Sequence, residues 1–99
     1  MTEAQPPEPS EPWNVKLTGP ARRALQQGLS DSVAWAAYTF ITTRLPTNPH
    51  RLGGELEGPY RGLRSAHLGT YRIVYRMEEA SRTVIVLAIR LRGDVYGIR

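Results

Sequence analysis

GTYRIVYR, residues 69–76, puts Tyr71, Ile73 and Tyr75 on one parity and Arg72, Val74 and Arg76 on the other. A period of two marks a half-buried strand, whose successive side chains leave opposite faces. After the short turn EEASR, the stretch TVIVLAIRL at 83–91 makes the second arm of a hairpin. In that arm Ile85, Leu87, Ile89 and Leu91 continue the apolar parity, while Val84, Val86, Ala88, Arg90 and Arg92 take the other. If the arms pair even position with even, Arg72, Arg76, Arg90 and Arg92 share one face. The fold turns on this hairpin, because one of its faces needs a cover and the other bears arginines.

Residues 62–68 (GLRSAHL) are expected to add a strand on the near side of the hairpin. Residues 47–60 contain Pro49, Gly53, Gly54, Gly58 and Pro59 and read as an exposed loop. Upstream, Val33, Ala36, Ala37, Phe40 and Ile41 recur at helical spacing after a cap at Ser30 or Asp31. That helix ends before Leu45-Pro46, since a residue preceding proline avoids helical dihedrals. Thr18 with Gly19-Pro20 starts an earlier helix through ARRALQQ, ending near Gly28. Trp13, Val15 and Leu17 alternate with Asn14 and Lys16 in a first strand. The expected fold is α+β, in the order β-α-α-β-β-β: a small antiparallel sheet with two helices packed on one face. The helices are expected over Tyr71, Ile73 and Tyr75 and over Ile85, Leu87 and Ile89. No internal repeat is visible.

Ninety-nine residues make one core. Residues 1–12 hold four prolines, three glutamates and no base. So little apolar surface cannot offset the entropy of ordering, so a disordered tail is expected before a domain at 13–99. The whole chain carries a net charge of +4, and beyond the tail 13 basic side chains face 6 acidic ones, leaving +7. Nine of the bases, all arginine, fall between positions 51 and 99. Such a domain suits an anionic partner, nucleic acid first and an acidic protein second. A GC-rich genome would raise arginine over lysine as well. No apolar run approaches the roughly 20 residues of a membrane span, and no secretory signal is visible. No membrane association and a cytoplasmic location are therefore expected.

The lack of cysteine excludes disulfides, thiolate metal sites and a cysteine nucleophile. His50 and His67 have no acidic cluster at ligand spacing, so neither a metal nor another cofactor is expected. None of the five serines sits in a G-x-S-x-G turn, and Gly53-Gly54 lacks the strand-and-helix context of a phosphate loop. What remains is a set of arginines with tyrosines: Arg72, Arg76, Arg90 and Arg92, followed by Tyr96. Guanidiniums gathered without acids repel one another, and an anion between them removes that cost. The planar fork of arginine grips two phosphate oxygens at once. A plainly solvated strand face is the bland alternative.

The order NPHRLGGELEGPY, GLRSAHLGTYRIVYR, TVIVLAIRLRGDVY, spanning Trp13 to Tyr96 with its flanks, resembles the RelE-type toxins of the RelE/ParE toxin–antitoxin superfamily. These have an Asn-Pro, a glycine, a Leu-Gly loop, a GxYRxxYR strand and a last strand ending in HRRxVY. The resemblance implies an mRNA endonuclease that works in the ribosomal decoding site without metal. The message's own 2′-hydroxyl attacks the adjacent phosphate and leaves a 2′,3′-cyclic phosphate and a 5′-hydroxyl. Such chemistry needs an aligned nucleophile, cations around the phosphorane and a proton donor. By matching positions, the resemblance assigns catalytic roles to Arg72, Arg92 and Tyr96. It also implies a cognate antitoxin, usually acidic, and operator DNA reached only through the toxin–antitoxin complex.

Two positions and one strand depart from the family pattern. Leu91 stands where the histidine is usual, Gly93 where a second base is usual, and the strand GLRSAHL offers only Arg64 and His67 in place of lysines. An imidazole can give or take a proton in the neutral range, so His67 is the candidate acid or base, while a guanidinium stays protonated. Arg64, Arg76 and Arg90 are the candidate RNA-binding residues. Two other readings stand beside the ribonuclease: a ParE-like relative that inhibits DNA gyrase without hydrolysis, and a non-enzymatic nucleic-acid-binding subunit.

Overall fold

The computed structural model describes residues 11–91. The expected tail at 1–12 lies, apart from Glu11 and Pro12, outside them. The chain opens with β1, Asn14–Leu17, and the buried Trp13 just before it donates its backbone N–H to Pro46 O at 2.9 Å. Thr18 then caps α1, Gly19–Arg23: its Oγ1 accepts from the Ala21 N–H at 3.3 Å. The last turns of α1, Ala24–Gly28, widen to π geometry. Ser30 caps α2, Asp31–Thr39, by accepting from the Val33 N–H at 3.4 Å, and Phe40–Arg44 extend it, again with π geometry, to Leu45. In that extension Thr42 and Thr43 donate back to Tyr38 O and Thr39 O at 2.8 and 2.6 Å, hydroxyl bonds that compete with the helical ladder.

The expected loop at 47–60 is structured. Pro49–Leu52 form a single helical turn, α3, and Gly53–Glu55 form a short strand, β2. A Gly58–Tyr60 turn follows. The residues that read as loop punctuation act as structural parts. Pro49 starts the turn, where its missing N–H costs nothing. Gly53 lies so close to Tyr75 that a Cβ there would stand 2.5 Å from the phenol oxygen. Three strands complete the described residues: β3, Arg64–Leu68; β4, Tyr71–Glu78; and β5, Thr83–Leu91. Gly69, with φ of 61°, makes the tight β3–β4 turn possible.

The five strands form one sheet in the order β1-β5-β4-β3-β2. The α+β class and the helices on one face are as expected. The neighbours from β2 to β5 are antiparallel, but β1 runs parallel to β5, so the sheet is mixed. Helices and sheet enclose a core of Trp13, Ala37, Phe40, Ile41, Leu45, Ile73, Tyr75, Val84, Val86 and Ile89, with their smaller neighbours.

One feature of β5 corrects the expected facing. Val74 pairs with Ala88 but Tyr75 pairs with Val86, so Leu87 is an extra residue in a β-bulge. Before the bulge the even positions Val84 and Val86 face the helices and are fully buried; after it, Ile89 does. Ile85 and Leu87 are therefore not under the helices, and Leu87 packs with Val74 on the other face. Without the extra residue the register of Arg76 with Ile85 would carry Ile89 opposite Arg72. With it, Arg90 arrives there.

Candidate nucleic-acid interface

Pairing builds the basic face. His67 of β3 stands opposite Arg72 of β4, and Arg90 of β5 stands opposite the same Arg72. The three side chains form a row across adjacent strands, on the face away from the helices. Directly paired residues lie about 4.5–5.5 Å apart at Cα, so their head groups reach a common ligand. Arg72 and Arg90 are half-buried and His67 is exposed.

The surroundings of Arg72 are informative. Its Nη1 donates to Ser65 Oγ at 3.4 Å, and Ser65 is itself buried. Its Nε, like that of Arg64, is buried with no hydrogen-bond partner among the described residues. Among the described residues no carboxylate pairs with Arg72 or Arg90; the ion pairs there are His50–Glu79 and Arg76–Glu78. Like charges directly opposed on a sheet are destabilising, and a buried N–H left without an acceptor costs about 1–3 kcal/mol. An oxyanion between the two guanidiniums would offset both. Under the row lies a small apolar floor of Val74 and Ala88, flanked by Leu63 and Leu87.

The other candidates divide. Arg76 keeps the same face but sits four residues along β4, about 13 Å from Arg72, and pairs with Glu78 at 3.3 Å. Arg64 does not join the row. It stands opposite Tyr75, on the helix side, and its Nη2 donates to His50 O at 2.9 Å. There it flanks the buried Tyr75 phenol, which donates to Pro49 O at 2.6 Å. Burial raises the Tyr75 pKa above its ordinary value, with the Arg64 guanidinium opposing. Arg64 is thus a brace between β3 and α3. Arg92 and Tyr96 lie outside the described residues. Neither Ser65 nor the apolar floor carries a motif in the sequence, and only the parity that Ser65 shares with His67 points to it.

A family model described as the ParE toxin of type II toxin–antitoxin systems, parDE, matches residues 15–96. The chain belongs to the RelE/ParE toxin family. Toxin RelE of Mycobacterium tuberculosis is 38% identical over 85 residues, covering 86% of this chain and 87% of the relative. Toxin RelG of the same organism is 35% identical over 85 residues, covering 86% and 97%. The toxin–antitoxin complex RelBE2 of M. tuberculosis contains a chain 34% identical to this one, with a TM-score of 0.78 over 83% of this chain and all of that one. The intact Escherichia coli RelBE complex gives a TM-score of 0.64 at 15% identity, a likeness of fold. This RelE/ParE protein is accordingly the toxin of a toxin–antitoxin system, and the arginine row lies on its helix-free face.

Proposed function

We propose that this toxin is a metal-independent, ribosome-dependent mRNA endoribonuclease that arrests translation in the cytoplasm. The observation that carries the reading is Arg72 paired directly with Arg90 beside His67, with no carboxylate among the described residues to neutralise either cation. The row suits a phosphodiester. The 2′-hydroxyl of the message attacks the adjacent phosphorus, the bond to the 5′-oxygen breaks, and a 2′,3′-cyclic phosphate and a 5′-hydroxyl result. Arg72, fixed by Ser65, and Arg90 stabilise the dianionic phosphorane as charge develops, in a setting already organised for it. His67, the cross-strand neighbour of Arg72, is the group that moves a proton in this reading. The match to the family motif adds roles for Arg92 and Tyr96. An acidic antitoxin that covers this face neutralises the toxin, and their complex is the form that reaches operator DNA.

The ParE name of the matching family supports a second reading, inhibition of DNA gyrase without hydrolysis. Programmed ribosomes separate the two. The purified toxin is expected to cut a message held in the decoding site, and Arg72→Ala is expected to lower the rate about 10²–10³-fold, as removal of one preorganised charge-stabilising donor does. An intact message, with gyrase supercoiling blocked in a parallel assay, would overturn the ribonuclease reading.

A further inference from the structure

A second recess adjoins the arginine row. The pairing of β1 with β5 stops at Leu17 opposite Val86, and Thr18 closes the end, donating its N–H to Val86 O and its hydroxyl to Leu87 O, both at 3.0 Å. Beyond Leu87, among the described residues, no strand pairs with that edge of β5. Instead α1 and its π-wound end run alongside and leave a recess of about 450 Å³ between helix and strand edge. Its walls are the aliphatic Ala24, Leu29 and Ile89, and its polar rim is Arg23, Gln27 and Arg90. The Arg23 guanidinium folds back over the start of α1, 3.3 Å from the point where a Gly19 Cβ would stand. Arg90 belongs to both places, opposite Arg72 in the row and on the rim of the recess.

We infer that this recess is a nucleotide subsite, holding the residue of single-stranded RNA next to the one whose phosphate lies at Arg72. Three components support the assignment. The aliphatic walls can cover one face of a base, and the planar Arg23 and Arg90 guanidiniums can stack on the other. Gln27 and the unpaired edge of β5 offer both donors and acceptors to a base edge. Arg23 and Arg90 flank the entrance and neutralise the linking phosphate. The bulge at Leu87 lies at the boundary between the paired and unpaired parts of the edge and brings Arg90 opposite Arg72 while it still lines the recess. The inference rests on the ribonuclease reading and deepens it: the row performs the cut, and the recess sets which sequence is cut and how tightly.

The test uses the full chain, a short RNA with a 2′-deoxy residue at the cut position, and a cleavable message on ribosomes. Arg23→Ala/Gln27→Ala is expected to weaken binding of the non-cleavable RNA about tenfold and to lower the salt slope of binding by about 1, as loss of a polar base contact and a phosphate contact does. The same variant is expected to redistribute the positions cut on ribosomes. Gly28→Leu fills the recess without removing charge; Gly28 has room for a Cβ, the nearest atom being Ala24 Cβ at 3.9 Å. It is expected to weaken binding and shift the cuts while keeping the wild-type melting temperature. Wild-type affinity and cut positions in both variants would overturn the subsite, as would weakened binding of an acidic peptide alone. The ribonuclease reading fails separately, if wild-type protein leaves the message whole or Arg72→Ala cuts it normally.

Discussion

Arg72 works as a fork. Ser65 fixes one arm, and the buried Nε has no acceptor among the described residues. Charge alone does not replace that geometry. Arg72→Lys is therefore expected to lose nearly as much cleavage as Arg72→Ala, with the thermal melt unchanged; near-normal turnover would show that a point charge suffices. Gly53 is a different kind of residue, needed for space. A methyl there meets the Tyr75 phenol, so Gly53→Ala is expected to cost about 1–3 kcal/mol, the range of overpacked cores. Tyr75→Phe removes the closest clash, so denaturant titration of the double variant should show less than the summed loss. Tyr75 also sets an alkaline limit. Its folded pKa is raised, so burial is unpenalised below the ordinary pKa of about 10 and stability falls as pH rises past it. Tyr75→Phe should flatten the pH dependence of the melting temperature there, and identical slopes in both proteins would contradict the assignment. The parity of Arg72 was legible because arginine alternates with tyrosine and isoleucine in β4. The inward turn of Arg64 was not, because the stem of an arginine can pack on either face.

At the level of elements, β5 shows where local pattern stops informing. Residues 84–89, VIVLAI, are apolar at both parities, so no polar side chain marks the place where the facing changes. The bulge follows from what the sheet must satisfy at its two ends: Val84 and Val86 under the helices at one, and Ile89 inward with Arg90 outward at the other. The chain has no cysteine, which permits a direct test of this register. Arg72→Cys/Arg90→Cys is expected to form a disulfide on mild oxidation, since paired Cα atoms fall within the roughly 4.4–6.8 Å that a disulfide spans. Arg72→Cys/Ile89→Cys is expected not to, its side chains leaving opposite faces. The reverse pattern, read by mass under non-reducing conditions, would remove the bulge and with it the row. The residues of α3 and β2 were equally illegible. Proline and glycine signal loops by default, and only contact with Tyr75 shows that Gly53 is a close-packed strand residue.

For the whole molecule, the sheet separates two tasks. One face is spent on the helices and the core; the other presents cations over a small apolar floor. An excess of +7 outside the first 12 residues makes any partner of this face anionic in the main. Affinity for an acidic antitoxin and for RNA should fall together with rising salt, and the two should compete; toxin that cuts at full rate inside the complex would contradict a shared face. Mapping message ends after brief induction in cells tests whether the arginine row cuts RNA. New 3′ ends bearing 2′,3′-cyclic phosphate are expected, in register with the reading frame and absent for Arg72→Ala. DNA breaks without new message ends, or the same ends with Arg72→Ala, would contradict cleavage by the row.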